Sequence, residues 1–292
     1  MDASLLNRAG QSFSDCEFAE AHVLMAGYMD GLRENIHDLV LVEHTDNIFD
    51  VDVSVVVVSH RSWDNFLNVV KTIRTFIEGP KAELICVANG IGTSGAALDM
   101  LRDMARVVVL PDNVGCPAAR NVGAYLARGE YILFLDDDGD TTAQDLEQLV
   151  LTCRQKCAVA VRGRVEQKTG AGLTGPHYDL GAALVPALPT TEGFSVWLAS
   201  AFERHEGFDP LLVSHEGIEL CSRMLADLET EKFLYEPNAL MRHDYATGAD
   251  SKARKEDRLK LSDRYLHFKG ICKDGLKARF REAVERDAGK PL

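Results

Sequence analysis

The segment YILFLDDDGD, Tyr131 to Asp140, drives an apolar strand straight into adjacent carboxylates at Asp136, Asp137 and Asp138. Like charges at neighbouring positions repel, and more strongly where water is partly excluded, so this cluster calls for a cation. Carboxylate oxygens are the natural ligands of Mg²⁺ and suit Mn²⁺ as well, and either ion at a strand tip can neutralise a phosphate group. The plainer alternative is a cap for the helix that begins near Thr142, where negative charge meets the helix dipole. One cap needs one carboxylate, so the run as a whole favours a metal.

Other segments carry reactive residue types. NGIGTSG, Asn89 to Gly95, has G-x-G-x-x-G between a strand and a helix. Asp112 closes the next strand about 20 residues on, as a dinucleotide site asks. That reading predicts an NAD-binding oxidoreductase built on the Gly90 to Gly95 loop. It leaves Asp136, Asp137 and Asp138 without a task, and Asn89 intrudes between strand and first glycine. In SHEGIELCSRM, Glu216 and Glu219 fall in the first turn of a helix, where acids complement the dipole. In MRHDY, His243 follows a short strand; a neutral imidazole ligates Mn²⁺ better than Mg²⁺, though a single histidine is often only hydrogen-bonded. His60, His205 and His215 have no comparable setting. The basic run SKARKEDRLKLSDRYLHFKG reads as a solvated helix face or as a segment closing on a diphosphate, with Arg254 and Arg258 the candidates.

These residues need elements to hold them. VDVSVVVVSH is β-branched and almost continuously apolar, as a strand covered on both faces must be. SWDNFLNVVKTIRTFIEG then repeats apolar residues at helical intervals, with Ser62 as cap and Gly79-Pro80 as stop. The alternation continues through AELICVA, SGAALDMLRDMA, RVVVLP, CPAARNVGAYLARG (Pro117 in its first turn), EYILFLD, TAQDLEQLVLTCRQK and AVAVRG. Such strand-helix-strand units predict an α/β fold: an open, mostly parallel sheet with helices on both faces and ligands beyond the carboxyl ends of its strands. After Gly163 the chain is Gly-, Thr- and Pro-rich to about Glu192. It then reads as helical, with short strands at KFLYEP and ALMRH. Residues 1–50 read as a helical extension ending in an Asp-, His- and Asn-rich connector, and 249–292 as a charged helical tail. The catalytic domain then spans 51–248, divided into a nucleotide-binding half, 51–140, and an acceptor half, 141–248.

In order and spacing, the segments from Val53 to His243 resemble the inverting family-2 glycosyltransferases, of the GT-A or nucleotide-diphospho-sugar transferase type. The family's strand ending in VDNGS, its N-x-G loop, its A-R-N-x-G helix and its F-L-D-x-D strand match the stretches holding Asn89, Asn113, Arg120 and Asp136 to Asp138. The resemblance implies transfer from a nucleoside diphosphate sugar with Mn²⁺ or Mg²⁺. It places Asp136 at the ribose and beside the metal, Asp138 on the metal, Asp137 between them, and His243 as the ligand completing the site. It places Ser59, Asn89 and Asn113 at the strand ends and loop that bind the nucleotide, and Arg120 on the helix that follows. SHEGIELCSRM resembles the family's E-D-x-D-L-x-x-R, which nominates Glu216, then Glu219, as the base that deprotonates the acceptor. Two departures stand out: Gly217 occupies the position of the family's acidic base, and Ala88 that of the aspartate that reads the nucleobase.

Bulk composition is compatible with this. The 292 residues are 46% hydrophobic, enough for a sizeable core, and carry a formal net charge of −13. The acid excess argues against a nucleic-acid-coating surface. No signal peptide or membrane span is legible, and seven cysteines without paired spacing suggest a reducing, cytoplasmic setting rather than a disulfide framework. The expected partners are a nucleotide-sugar donor and a small-molecule or glycan acceptor, without nucleic acid or stable membrane insertion; a homo-oligomer is left open. A non-catalytic nucleotide-sugar-binding homologue is the main rival, since Ala88 and Gly217 both remove carboxylates.

Overall fold

The computed structural model describes residues 2–43, 51–77, 82–170, 175–245 and 248–288. The stop signal at Gly79-Pro80 and the connector at 44–50 lie outside them. In chain order the helices are α1 (Ala3–Ser14), α2 (Phe18–Glu34), α3 (Trp63–Ile77), α4 (Gly95–Leu101), α5 (Cys116–Leu126), α6 (Ala143–Gln155), α7 (Ala199–Arg204), α8 (Glu216–Met224), α9 (Ala249–Phe268) and α10 (Lys273–Ala288). The strands are β1 (Val40–Val42), β2 (Val53–Ser59), β3 (Ala82–Asn89), β4 (Arg106–Leu110), β5 (Tyr131–Asp136), β6 (Ala160–Glu166), β7 (Val185–Pro186), β8 (Phe194–Leu198) and β9 (Phe233–Arg242).

The strands form one sheet in the order β1-β4-β3-β2-β5-β8-β6-β9-β7. β4, β3, β2 and β5 run parallel, β8 is inserted antiparallel between β5 and β6, and β9 is parallel to β6. Because β8 alone is reversed in this region, the carboxyl ends of β2, β5, β6 and β9 reach the same edge. There the start of β8 meets them.

The apolar run of β2 explains the layering. Val55 and Val57 bury on one face with Phe66, Val70 and Ile73 of α3 and Leu146 and Leu149 of α6. Val56 buries on the other with Ala118, Ala119 and Val122 of α5. Both faces are covered, as a strand without polar alternation requires. The terminal helices join the second of these clusters: Phe13, Phe18 and Tyr28 share it with Ile85, Val108 and Tyr265. Tyr265 of α9 meets the rings of Phe13 and Phe18, each at 5.2 Å.

Three elements differ from the sequence reading. FSVWL, 194–198, falls in a stretch read as helical but forms the antiparallel strand β8. A short apolar run does not separate strand from buried helix by periodicity, and its pairing with β5 and β6 is decided by neighbours distant in sequence. KFLYEP and ALMRH, read as two strands, are one, β9, whose register on β6 shifts between Gly163 and Arg164. Pro237 lies in that interruption, and a residue without an N–H cannot continue the ladder. Val40–Val42, within the stretch read as helical, adds an antiparallel edge to β4. The basic run of the tail is helix α9, on which Arg254 and Arg258 are exposed.

Candidate active site

Asp136 ends β5, and its neighbours show why the chain can tolerate the acidic run. The Asp136 N–H donates to the carbonyl of Gly193 at 2.8 Å, immediately before β8. Gly193 is bare for a steric reason: a Cβ there would come within 1.9 Å of Asp136 Oδ1. On the other side Arg120 of α5 donates from Nη2 to Asp136 Oδ1 at 2.8 Å and from Nη1 to Glu216 Oε1 at 3.0 Å. Its side chain is only 8% exposed. Burial disfavours the guanidinium's charge, but the carboxylates of Asp136, Glu216 and Glu192 outweigh it and hold Arg120 more firmly protonated than usual.

Asp137 turns the other way. It accepts from Asn65 Nδ2 at 2.9 Å, and burial raises its carboxyl above the usual range despite help from Ser59 and Asn65. Asp138 accepts from His243 Nε2 at 2.6 Å on one oxygen and from Arg61 Nη1 at 2.6 Å on the other. Burial opposes its ionisation, yet the bond and charge of His243, with Arg61, hold it below the usual carboxylate range. For His243 the same burial is outweighed by Asp138 and Asp136, and its pKa is raised.

His243 reaches Asp138 because the chain after β5 pairs with the end of β9: Asp140 and Arg242 exchange backbone hydrogen bonds of 2.8 and 2.7 Å. Donor atoms of Asp136, Asp138 and His243 lie within 4.8 Å of one another. His243 Nδ1 is buried and has no hydrogen-bond partner among the described residues. Two carboxylates and an imidazole so close fit a divalent cation, Mn²⁺ better than Mg²⁺. The capping alternative has its own residues: Thr142 caps α6 in a reciprocal box with Asp145. Asp136, Asp137 and Asp138 are not spent on it.

The remaining sequence candidates fall in different places. Asn89, 2% exposed, donates to Asn113 Oδ1 at 3.1 Å and to the Gly115 carbonyl at 3.3 Å, and accepts from the Val114 N–H at 2.9 Å. Its amide thus shapes the Asn113 loop that leads into α5. Gly90, with φ +76°, is demanded by the same packing, since a Cβ there would lie 2.5 Å from Asn113 N. Ser59 is buried and donates to the Ser62 carbonyl at 3.2 Å. Glu219 is wholly buried and accepts from Arg223 at 2.9 and 2.7 Å and from Lys269. Arg223 also donates to the carbonyl of Gly207 and Lys269 to Asp209, so Glu219 belongs to a network separate from the Asp136 cluster.

Against this geometry, comparison with known proteins is decisive. The sequence pattern described as Glycosyl transferase family 2 matches residues 54–214, more than half of the chain. The chain belongs to glycosyl transferase family 2. Its fold is shared by a crystal structure of S. aureus TarS 1-349 in complex with UDP-GlcNAc, 14% identical, with a TM-score of 0.55 over 70% of this chain and 61% of that one. A structure of GalNAc-T7 with UDP, GalNAc and Mn²⁺ is 15% identical, TM-score 0.52, covering 66% of this chain and 44% of that one. A mycobacterial protein is 17% identical, TM-score 0.56, with 76% of each chain covered. Curated protein sequences give no match. The chain thus spans about three-fifths of the TarS 1-349 chain it resembles.

Within this family-2 fold, several residues around the site carried no sequence signal. Arg61 meets Asp138 because β2 and β5 pair with Val58 opposite Asp136. Tyr245 packs on His243 at 3.9 Å and stacks on Tyr178 at 5.1 Å, building an aromatic wall beside the acidic cluster. Glu192, next to Gly193, accepts the Gly217 N–H at 2.8 Å. It sits in the Gly-, Thr- and Pro-rich stretch, where no periodicity marks it. Among the described residues, no helix is long and apolar enough to cross a membrane.

Proposed function

We propose that this family-2 protein transfers a sugar from a nucleoside diphosphate donor to an acceptor hydroxyl, with inversion at the anomeric carbon and with a divalent cation in its site. The observation that carries the reading is the convergence of Asp136, Asp138 and His243 at the carboxyl edge of a glycosyltransferase sheet. When bound, Mn²⁺ or Mg²⁺ acts there as a Lewis acid that neutralises the diphosphate as it leaves. Asp136, fixed by Arg120 and by the Gly193 carbonyl, would face the ribose and hold the ion. Asp138 and His243 would supply the remaining protein ligands, and Arg61, paired with Asp138, would add positive charge beside the diphosphate. Asn89 and Asn113 hold the loop that borders the nucleotide.

The UDP and UDP-GlcNAc in the structural neighbours, and the Mn²⁺ in one of them, make uridine donors with Mn²⁺ the first to try. The acceptor is a small molecule or a glycan. An inverting displacement is one step, so a carboxylate must take the acceptor's proton. Glu216, the first residue of α8, and Glu192, which accepts the Gly217 N–H, are the two carboxylates nearest Gly217 from which that base is to be chosen.

The test is thermal unfolding against UDP-GlcNAc, GDP-mannose, dTDP-glucose and NAD, each with Mn²⁺ and with EDTA. A ligand that binds the folded state raises the melting temperature by mass action. A nucleotide sugar is expected to do so only when Mn²⁺ is present. Stabilisation by NAD alone, or by nucleotide sugars equally in EDTA, overturns the reading.

A further inference from the structure

Position 217, where the family pattern carries its acidic base, has no room for a side chain. A Cβ on Gly217 would lie 1.9 Å from the carbonyl oxygen of Pro189 and 2.8 Å from Glu192 Oε1. The Pro189 carbonyl closes the position itself, and the Glu192 carboxylate lies alongside it, accepting the Gly217 N–H at 2.8 Å. An acid absent from the first turn of α8 has a counterpart arriving from the loop before β8.

That loop is firmly placed. The Glu192 carbonyl accepts from Ser195 Oγ at 2.8 Å, and the next residue, Gly193, accepts the Asp136 N–H at 2.8 Å. Glu192 is thus one residue from the backbone contact that seats Asp136. Glu216 is committed elsewhere, because its Oε1 is paired with the buried Arg120, which also holds Asp136. The ion pair holds that oxygen against Arg120 instead of leaving it free for an acceptor hydroxyl. Among the described residues Glu192 has no guanidinium or ammonium paired with it: burial first, and the charge of Glu216 second, push its carboxyl up to about 7, against the opposing pull of Arg120 and the Gly217 N–H. General bases work best with a pKa close to the working pH.

We propose that Glu192 is the catalytic base of this glycosyltransferase, replacing the acid missing at Gly217, and that Glu216 is a positioning residue that fixes Arg120. The inference rests on the transferase reading above. In the step, the acceptor hydroxyl oxygen bonds to the anomeric carbon as the bond from that carbon to the diphosphate oxygen breaks. The electron pair leaves with the diphosphate, and the hydroxyl proton passes to the Glu192 carboxylate.

The experiment is nucleotide release with Mn²⁺ from UDP-GlcNAc, GDP-mannose or dTDP-glucose, whichever the wild-type protein cleaves, with water as acceptor. Glu192→Gln keeps the shape and the Gly217 contact. It is expected to slow release by about 100-fold or more while nucleotide-sugar affinity stays within about twofold. Azide has no proton to lose, so it should restore turnover to Glu192→Ala, yielding the glycosyl azide, and should not restore Glu216→Ala. Undiminished release by Glu192→Gln, or azide rescue at position 216 instead of 192, overturns the assignment. No release by the wild-type protein from any of these donors overturns the transferase reading and the assignment with it.

Discussion

Arg120 donates to Glu216 across 3.0 Å, joining α5 to the first residue of α8, and with its other nitrogen it holds Asp136. One buried cation therefore ties the end of β5 to the start of α8. Arg120→Met strands Asp136 and Glu216 and is expected to cost about 3–5 kcal/mol, since a broken buried pair leaves an uncompensated charge. Arg120→Lys, a point charge without the guanidinium fork, should recover only part of it. Urea unfolding of the three proteins measures both.

Asp138 and His243 predict a metal effect separable from folding. Their donor atoms lie within the same 4.8 Å cluster as those of Asp136. Asp138→Asn and His243→Ala should each weaken Mn²⁺ by at least about tenfold, which is about 1.4 kcal/mol. Titration calorimetry of Mn²⁺ in the presence of nucleotide sugar reads this directly, and unchanged affinity in both variants would remove these residues from the metal site.

Restoring the family's acid at position 217 should harm the protein. A side chain there collides with the Pro189 carbonyl, 1.9 Å from the Cβ, which is backbone and cannot swing aside. Gly217→Asp is expected to destabilise by about 1–3 kcal/mol or more and to bring no gain in nucleotide release. A faster variant would show that the loop before β8 yields and that Glu192 is dispensable.

The raised pKa of Glu192 makes stability depend on pH with a definite sign. Its folded value of about 7 lies above the unfolded 4.5, so its contribution is fully present below pH 4.5 and is lost as pH rises through 7. Glu216, Arg120 and, from β6, Arg162 are the charges around it, with Cys116, Tyr178 and Tyr245 the other titratable neighbours. His177 and His215, both lowered to about 4 chiefly by burial, act oppositely and cost stability as pH falls below 6.5. The informative quantity is thus the difference between wild type and Glu192→Gln. In urea unfolding without ligand, the variant's stability relative to wild type should increase from pH 4.5 to pH 7.5.

A control lies at the opposite end of the strands. Glu83, 4% exposed, accepts from Ser54 Oγ at 2.6 Å and from the Arg128 backbone and guanidinium at 2.7 to 3.0 Å. Glu83→Ala should cost about 1–3 kcal/mol, chiefly by leaving the buried Ser54 hydroxyl and the Arg128 N–H without their acceptor, and yet leave nucleotide-sugar affinity unchanged. A change in affinity would mean that the two ends of the sheet are coupled.

The amino-acid sequence alone determined the parallel half of the fold and its acidic tip. In β2, β3 and β5 the apolar runs demand two covered faces, the intervening helices have clear periods, and β5 ends on Asp136 with Asp137 and Asp138 directly after it. These are local signals, and local physics suffices to read them. Only the tertiary structure decided that β8 runs antiparallel beside β5, that the end of β9 brings His243 to Asp138, and that Glu192 fills the space beside Gly217. Each of those joins residues dozens of positions apart through strand order and close packing, and spacing along the chain carries no record of such contacts.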